Sequence, residues 1–335
     1  MDKKYRVAIV GATGAVGQEI IKILTLRQFP IAKLTLLASE RSAGTKQITA
    51  FGDIEITTFA TEHFDGQDIV FFATSGEHSR QYAPMAAKAG AVVIDNSSAF
   101  RLDDEVPLIV PEVNPHAIKD HKGIISNPNC STIQMVVALN PIHQISPIKR
   151  VVVSTYQAVS GAGQAGISEL NEQVKDVMED KPVKVNQFSK QIAFNLIPHI
   201  DVFQDNGYTK EEMKMVNETW KIMDAPEIKI SAHCVRVPVI RAHSEAIHIE
   251  TEDYIGAKKA RGIFNQSRGI KLVDEQSDGG YPTPLDASET METWVGRIRE
   301  DISCDNGLVF WVVADQLWKG AALNAVQIAE LLVES

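Results

Sequence analysis

The sequence predicts an α/β protein with a doubly wound parallel sheet and a second, α+β domain. Three observations carry this. Over the first 130 residues, short apolar runs alternate with helix-like stretches, the order of parallel strands joined by crossover helices. A glycine-rich turn joins the first strand to the first helix. Beyond residue 130 the alternation is lost, and β-rich runs mix with charged amphipathic helices.

In order, Arg6 to Val10 reads as a buried strand, and Val16 to Leu26 has helical spacing at Val16, Ile20, Ile23 and Leu24. Leu34 to Ala38 and Asp68 to Ala73 are strands, and Ala-rich Gln81 to Ala89 is a helix. Ala91 to Asp95 and Gly123 to Ser126 complete the first series. Ile133 to Leu139 reads as a helix and Val151 to Gln157 as a strand. Ser168 to Glu179 and Lys210 to Met223 are amphipathic helices. Glu227 to Val239 and Ser244 to Thr251 are strand-like, and Leu308 to Ala314 is a strong strand. An apolar-periodic helix runs from Gln316. The expected division is a Rossmann-like domain over 1–130, to which helix 316–335 returns, and a second, α+β domain over 131–315.

A chain of 335 residues is long enough for two such domains. The 33 basic and 43 acidic residues give a net charge of −10, which argues against nucleic acid or an anionic membrane as partner. A small anionic substrate needs only a local cluster of Arg and Lys. The three cysteines, Cys130, Cys234 and Cys304, are widely spaced without a C-x-x-C. We therefore expect no disulfide framework, no metal site and a reducing compartment, the cytoplasm. The charged start, Met1 to Arg6, runs into a strand without a secretory apolar region. Gly123 to Ile148 lacks Lys, Arg, Asp and Glu, but its prolines, asparagines and serines make a poor membrane span.

Directly after the first strand stand Gly11, Ala12, Thr13, Gly14, Ala15, Val16 and Gly17. Glycines here let the backbone turn tightly and approach a pyrophosphate, and the helix N-terminus attracts its charge. An NAD enzyme places an acid at the tip of the second strand to hold the ribose 2′-hydroxyl. Ala38 and Ser39 occupy that tip here, with Arg41 and Ser42 beside them. That composition favours a 2′-phosphate, hence NADP, with Glu40 as the discordant residue.

Cys130 lies in Ser126-Asn127-Pro128-Asn129-Cys130-Ser131-Thr132, near a helix N-terminus. Peptide dipoles there stabilise a thiolate, the species that attacks a carbonyl carbon. A cysteine in isolation is more often a small buried hydrophobe. The polar, proline-containing loop argues against that here.

With these segments in place the chain resembles the aspartate-semialdehyde dehydrogenase family over nearly its whole length. The resemblance rests on GATGAVG at Gly11, ASERSAG at Ala38, DNSSAFR at Asp95, SNPNCST at Ser126, YQAVSGAG at Tyr156, EEMK at Glu211, HCVRVPV at His233 and RAHSEA at Arg241. It implies NADPH-dependent reduction of L-aspartyl 4-phosphate to the semialdehyde with release of phosphate, through an acyl-thioester on Cys130. This step belongs to lysine, threonine and methionine biosynthesis. It further implies His243 as acid/base residue and Gln157 as the group that orients the acyl intermediate. Arg236 would grip the α-carboxylate, Glu211 the α-amino group, and Arg101 and Lys214 the phosphate, with Asn129 also at the substrate. Thr74, Ser75, Ser160, Gly161 and Gln316 would join the glycine loop, Ser39, Arg41 and Ser42 at the cofactor. A homodimer is implied, through the sheet of the second domain.

One check needs no family. Gly11 to Gly17, Ser39 to Ser42, Thr74 to Gly76, Asn96 to Arg101 and Asn127 to Cys130 each follow an expected strand. In an open parallel sheet such tips share the edge where ligands bind. The alternatives are a related acyl-phosphate reductase, of the N-acetylglutamyl phosphate or glyceraldehyde 3-phosphate type, a catalytically dead paralogue, and a thiol redox sensor. The first would not be expected to carry HCVRVPV with EEMK. The second would have lost Cys130 or His243. The third lacks a nearby resolving cysteine.

Overall fold

The computed structural model describes residues 3–334. Met1, Asp2 and Ser335, at the ends of the charged N-terminal run and of the expected C-terminal helix, lie outside the described residues. The chain divides into two units, 1–128 with 321–335, and 129–320.

The first unit opens with β1 (Tyr5–Val10), α1 (Ala15–Leu26) and β2 (Ile31–Ala38). Next come β3 (Lys46–Thr49), β4 (Gly52–Thr58), β5 (Ile69–Phe72), α2 (Gly76–Lys88), β6 (Val92–Asp95) and β7 (Ile124–Ser126). The sheet order is β3-β4-β2-β1-β5-β6-β7, with every pair parallel except β3/β4. Val7, Ala8, Ile9 and Val10 are all buried, as covering both faces of a parallel sheet requires. The C-terminal ends of β2, β1, β5, β6 and β7 therefore stand side by side. The β3/β4 hairpin lies outside the expected elements. At the sheet margin only Ile56 of its strands is buried, so it carries little apolar pattern. Helix α2 begins at Gly76 rather than Gln81, because Ser75 caps it by accepting the His78 amide at 3.3 Å.

The second unit contains α3 (Cys130–His143), β8 (Ile148–Gln157), α4 (Gly163–Met178), α5 (Lys210–Met223) and β9 (Lys229–Arg236). It continues with β10 (His243–Thr251), α6 (Ala257–Gln266), β11 (Ile270–Leu272), α7 (Pro284–Ala287), β12 (Thr293–Glu300) and β13 (Gly307–Ala314). Its sheet runs β11-β12-β13-β10-β8-β9, with β8 parallel to β9 and β10 antiparallel to both β8 and β13. Met135, Leu139 and Ile142 of α3 join Phe264 of α6 and Phe310 of β13 in one core. The two Phe rings meet edge-on with centroids 5.4 Å apart.

Several sequence expectations need correction here. Helix α3 exceeds Ile133–Leu139 at both ends, α4 starts at Gly163 rather than Ser168, and the Glu227–Val239 strand is trimmed to Lys229–Arg236. Strand β12 has no counterpart among the expected elements. A bulge between Gly296 and Arg299, with Arg297 at φ 55°, breaks its alternation. The expected helix from Gln316 begins later. Trp318–Ala322 forms a π-helical turn and α8 spans Leu323–Glu334. Asp315 Oδ1 accepts the amides of Leu317 and Trp318 at 2.9 and 3.0 Å, which leaves Gln316 in the turn before the helix.

Helix α8 belongs to the first unit. Asn324 Nδ2 donates to Asn127 Oδ1 at 2.7 Å, and Arg27 pairs with Glu330 at 2.5 Å.

Candidate active site

Register places four of the expected site residues on one edge of the second sheet. Gln157 ends β8 opposite Arg236, which ends the parallel β9. His243 starts β10 opposite Ala314, which ends the antiparallel β13. Gln316 follows two residues on. Gln157, Arg236, His243 and Gln316 are all buried.

Cys130 is the first residue of α3 and is half-buried. Asn129 caps this helix, its Oδ1 accepting the amides of Ser131 and Thr132 at 3.1 and 3.3 Å. The cap is anchored in turn. Asn129 N donates to Glu218 Oε2 at 2.7 Å, and Asn129 Nδ2 to Glu211 Oε1 at 3.0 Å. A cysteine at a helix start, with no acidic residue in the first turn, is where peptide dipoles favour a thiolate.

Glu211 is the hub of the polar cluster. Its Oε1 also accepts Gln157 Nε2 at 3.0 Å, and its Oε2 accepts Lys214 Nζ at 2.9 Å. Burial pushes this carboxyl up, but the Lys214 charge and the bonds from Gln157, Lys214 and Asn129 outweigh it, holding the pKa at about 2. The buried charge is placed by helix α5, whose capping box pairs Thr209 with Glu212. Glu212 Oε1 then accepts the Cys234 amide of β9 at 3.0 Å, docking the helix on the sheet. Lys214 also reaches Asp201 Oδ2 at 2.8 Å, so its ammonium already sits between two carboxylates. Burial pulls its pKa down, and Glu211 and Asp201 more than reverse this.

Arg236 has no ion-pair partner among the described residues. Nη1 donates to Ala158 O at 2.6 Å. Its pKa is lowered first by burial, with Glu211 and Cys130 pushing the other way. A buried guanidinium without a counter-ion is costly and fits an anionic ligand. Gly161 lies against it. A Cβ there would stand 2.8 Å from Arg236 Nη1 and 3.3 Å from His243 Nε2.

The Nδ1 of His243 accepts the Ala158 amide at 3.0 Å, which puts the proton of the neutral ring on Nε2. Nε2 has no partner among the described residues. Burial and then the Arg236 charge hold the ring pKa at about 3, against a weaker pull from Glu211. His243 is thus a neutral donor. The preceding Ala242 sits at φ 69°, a strained value for a residue with a side chain, and its amide donates to Gln316 Oε1 at 2.7 Å. Gln316 Nε2 donates to Ser160 Oγ, and Ser160 Oγ to Ile240 O. Gln316 and Ser160, expected at the cofactor, clamp the loops that carry Gly161 and His243.

The first unit carries the other expected residues. Gly11 has φ 82°, and a Cβ on it would stand 2.2 Å from Ala73 O; one on Gly17 would stand 2.2 Å from Gly11 O. Gly14 caps α1, which has no side-chain cap and no acid in its first turn, so Ala15 and Val16 open a helix ready for an anion. A cavity of about 460 Å³ is lined by Gly11, Thr13, Ser39 and Thr74, and by Glu40, Thr58, Phe59, His78 and Tyr82. The last four were not anticipated. Thr58 and Phe59 stand at the end of β4, which lies outside the expected elements, His78 comes from the early start of α2, and Tyr82 from within the expected helix Gln81–Ala89. Arg41 is exposed, with no ion-pair partner among the described residues, and Glu40 rather than Arg41 lines the cavity. Ser42 N donates to Ser39 O at 2.9 Å, closing the turn. Ser75 is used as the α2 cap. Buried Arg101 ties two strand tips together, donating to Asn127 O and Asn96 O, each at 3.0 Å.

Known proteins resemble the chain along its whole length. The family model described as "Semialdehyde dehydrogenase, NAD binding domain" matches residues 6–121, and "Semialdehyde dehydrogenase, dimerisation domain" matches 139–319. An Aquifex aeolicus protein named aspartate-semialdehyde dehydrogenase is 54% identical over 336 residues, covering 98% of each chain. The solved aspartate semialdehyde dehydrogenase II of Vibrio cholerae, complexed with ASA, is 49% identical. It superposes with a TM-score of 0.97 over 100% of this chain and 99% of that one. A Candida albicans aspartate semialdehyde dehydrogenase solved with NADP is 26% identical, with a TM-score of 0.74 over 98% of each chain.

Proposed function

The chain belongs to the aspartate-semialdehyde dehydrogenase family, and from that premise we propose how its residues reduce L-aspartyl 4-phosphate to L-aspartate 4-semialdehyde with NADPH. The observation that carries the reading is the linkage of a helix-capped Cys130 to the buried cluster of Glu211, Gln157, Arg236 and His243.

Arg236 takes the α-carboxylate, where a planar fork can bind bidentately. Glu211 takes the α-ammonium, and Asn129 lines the same subsite. Arg101 and Lys214 hold the phosphate. The Cys130 thiolate bonds to the acyl carbon as the C–O bond to phosphate breaks, leaving a thioester. Gln157, fixed by Ser131 Oγ at 2.8 Å and Glu211, orients that acyl group without adding charge. NADPH, when bound, would supply the hydride that the thioester carbon accepts. The carbonyl oxygen then becomes anionic, and His243 Nε2–H donates to it. Collapse of the oxyanion breaks the C–S bond, returns the thiolate and frees the aldehyde.

The first unit fits a dinucleotide. It offers an uncapped helix start, two glycines whose neighbours leave no room for a Cβ, and a cavity at the strand tips. Exposed Arg41, without an ion-pair partner among the described residues, favours the 2′-phosphate of NADP over NAD. In this reading the first unit binds cofactor, and the second performs the chemistry and self-associates as a homodimer. No helix among the described residues is long and apolar enough to cross a membrane. We assign the enzyme to the cytoplasm.

The test is the reverse reaction, with aspartate semialdehyde, phosphate and NADP mixed and NADPH absorbance followed. A signal requiring all three is expected. Its absence in a folded protein that binds NADP would move the substrate to another acyl phosphate. Cys130→Ala should abolish turnover and leave NADPH binding intact; retained turnover would remove the thioester.

A further inference from the structure

Arg236 must present a guanidinium edge to a ligand while no charged side chain among the described residues forms an ion pair with it. Its side chain meets Ala158 O, the open position at Gly161 and, on its face, the Phe188 ring, 6.0 Å from the guanidinium carbon to the centroid. Phe188 comes from a stretch without helix or extended strand between α4 and α5. Its neighbours, Lys184 to Lys190, are mostly polar and cannot order themselves by burial.

Helix α4 supplies the order. Buried Glu169 accepts the amides of Asn186, at 3.1 Å, and Gln187 through Oε2. Buried Gln173 accepts the amides of Ile192 and Ala193 at 2.8 and 3.1 Å, and donates to Lys184 O at 2.8 Å. Two buried polar side chains thus grip the segment on both sides of Phe188. The ring packs with Val159, Leu170 and Ile192. Gly166 opens the space for it, since a Cβ there would stand 3.2 Å from Phe188 Cζ.

We propose that Phe188 is a positioning residue for substrate recognition: held by α4, it fixes the guanidinium of Arg236 so that its free edge meets the substrate α-carboxylate. This rests on the reading of Arg236 given above. Phe188 acts on the carboxylate only through Arg236, so its loss weakens substrates that carry the carboxylate and spares those that do not.

The test measures KM and kcat in the reverse direction for Phe188→Leu, Phe188→Trp and the unchanged enzyme. It uses aspartate semialdehyde and 3-aminopropanal, the same aldehyde without its carboxylate, taken as substrate or as competitive inhibitor. Phe188→Leu keeps the apolar packing but removes the ring face. Its KM for aspartate semialdehyde should rise roughly fivefold to thirtyfold, the span of a partly to fully desolvated cation–π contact. Its kcat, its KM for NADP and its constant for 3-aminopropanal should stay put, and Phe188→Trp should restore the first. Equal losses on both aldehydes, or none, would overturn the proposal. Arg236→Lys is run beside them. If it loses discrimination between the aldehydes while Phe188→Leu does not, only the role of Phe188 fails. If Arg236→Lys keeps discrimination, the reading of Arg236 fails, and the inference with it.

Discussion

The imidazole of His243 accepts the Ala158 amide at one nitrogen and leaves the other without a partner among the described residues, in the field of Arg236. This fixes both its tautomer and its charge. Its pKa lies at about 3 against an ordinary 6.5, so between those limits the unfolded chain binds a proton that the folded one refuses. Its contribution to stability is complete above pH 6.5 and is lost as pH falls towards 3. Glu211 titrates in the same direction in a lower window, from 4.5 to about 2. Stability should therefore fall between pH 6 and 5 by on the order of 1.4 kcal/mol through His243. His243→Gln should flatten that slope in thermal melts across the range. An unchanged slope would mean that the ring is charged in the folded state, and the donor role would go with it.

At the scale of elements, each group is aimed by an end of a helix or strand. Asn129 starts α3 and presents Cys130, and the Thr209–Glu212 box starts α5 and presents Glu211. Register sets Gln157 against Arg236. In the first unit, the turn after β2 carries Arg41 outside the cavity that Glu40 lines. The two residues make opposite predictions. If Arg41 reaches the 2′-phosphate, Arg41→Ala should weaken NADPH by roughly 1–3 kcal/mol and leave NADH unchanged in fluorescence titrations. Equal weakening of both would assign specificity elsewhere, with Glu40 the first residue to examine.

At the scale of the molecule, the second sheet has two unlike faces. Ile247 and Ile249 point into the core, and by alternation Ala246 and His248 point away from it. Half-buried Tyr156 and Trp311 meet on β8 and β13 with ring centroids 5.4 Å apart. A second copy covering these rings would explain why the matched family domain is described as a dimerisation domain. Light scattering at micromolar concentration should give twice the chain mass, and Trp311→Lys should shift it towards one chain with a lower melting temperature. A single-chain mass for the unchanged protein would overturn the homodimer.

The strand-turn-helix start with its glycines, the alternation of the first sheet, the helix Lys210–Met223 and the thiol at a helix start are legible in the amino-acid order alone. These are local, because apolar period, caps and glycine turns are written in neighbouring residues. The family motifs suggested the roles proposed for Gln157, Glu211, Arg236 and His243, which no local pattern could select. Which groups meet is a property of the folded chain. Folding set Lys214 between Asp201 and Glu211, turned Gln316 and Ser160 into a clamp, and fixed the donor nitrogen of His243. It also put Phe188 over Arg236 and Glu40 at the strand-tip cavity. Hydrogen bonds between residues dozens of positions apart, and the desolvation that shifts their charges, exist only once the strands are in register. The marginal strands β3, β4 and β12 are stabilised by neighbours rather than by pattern, and so became visible only in the folded chain.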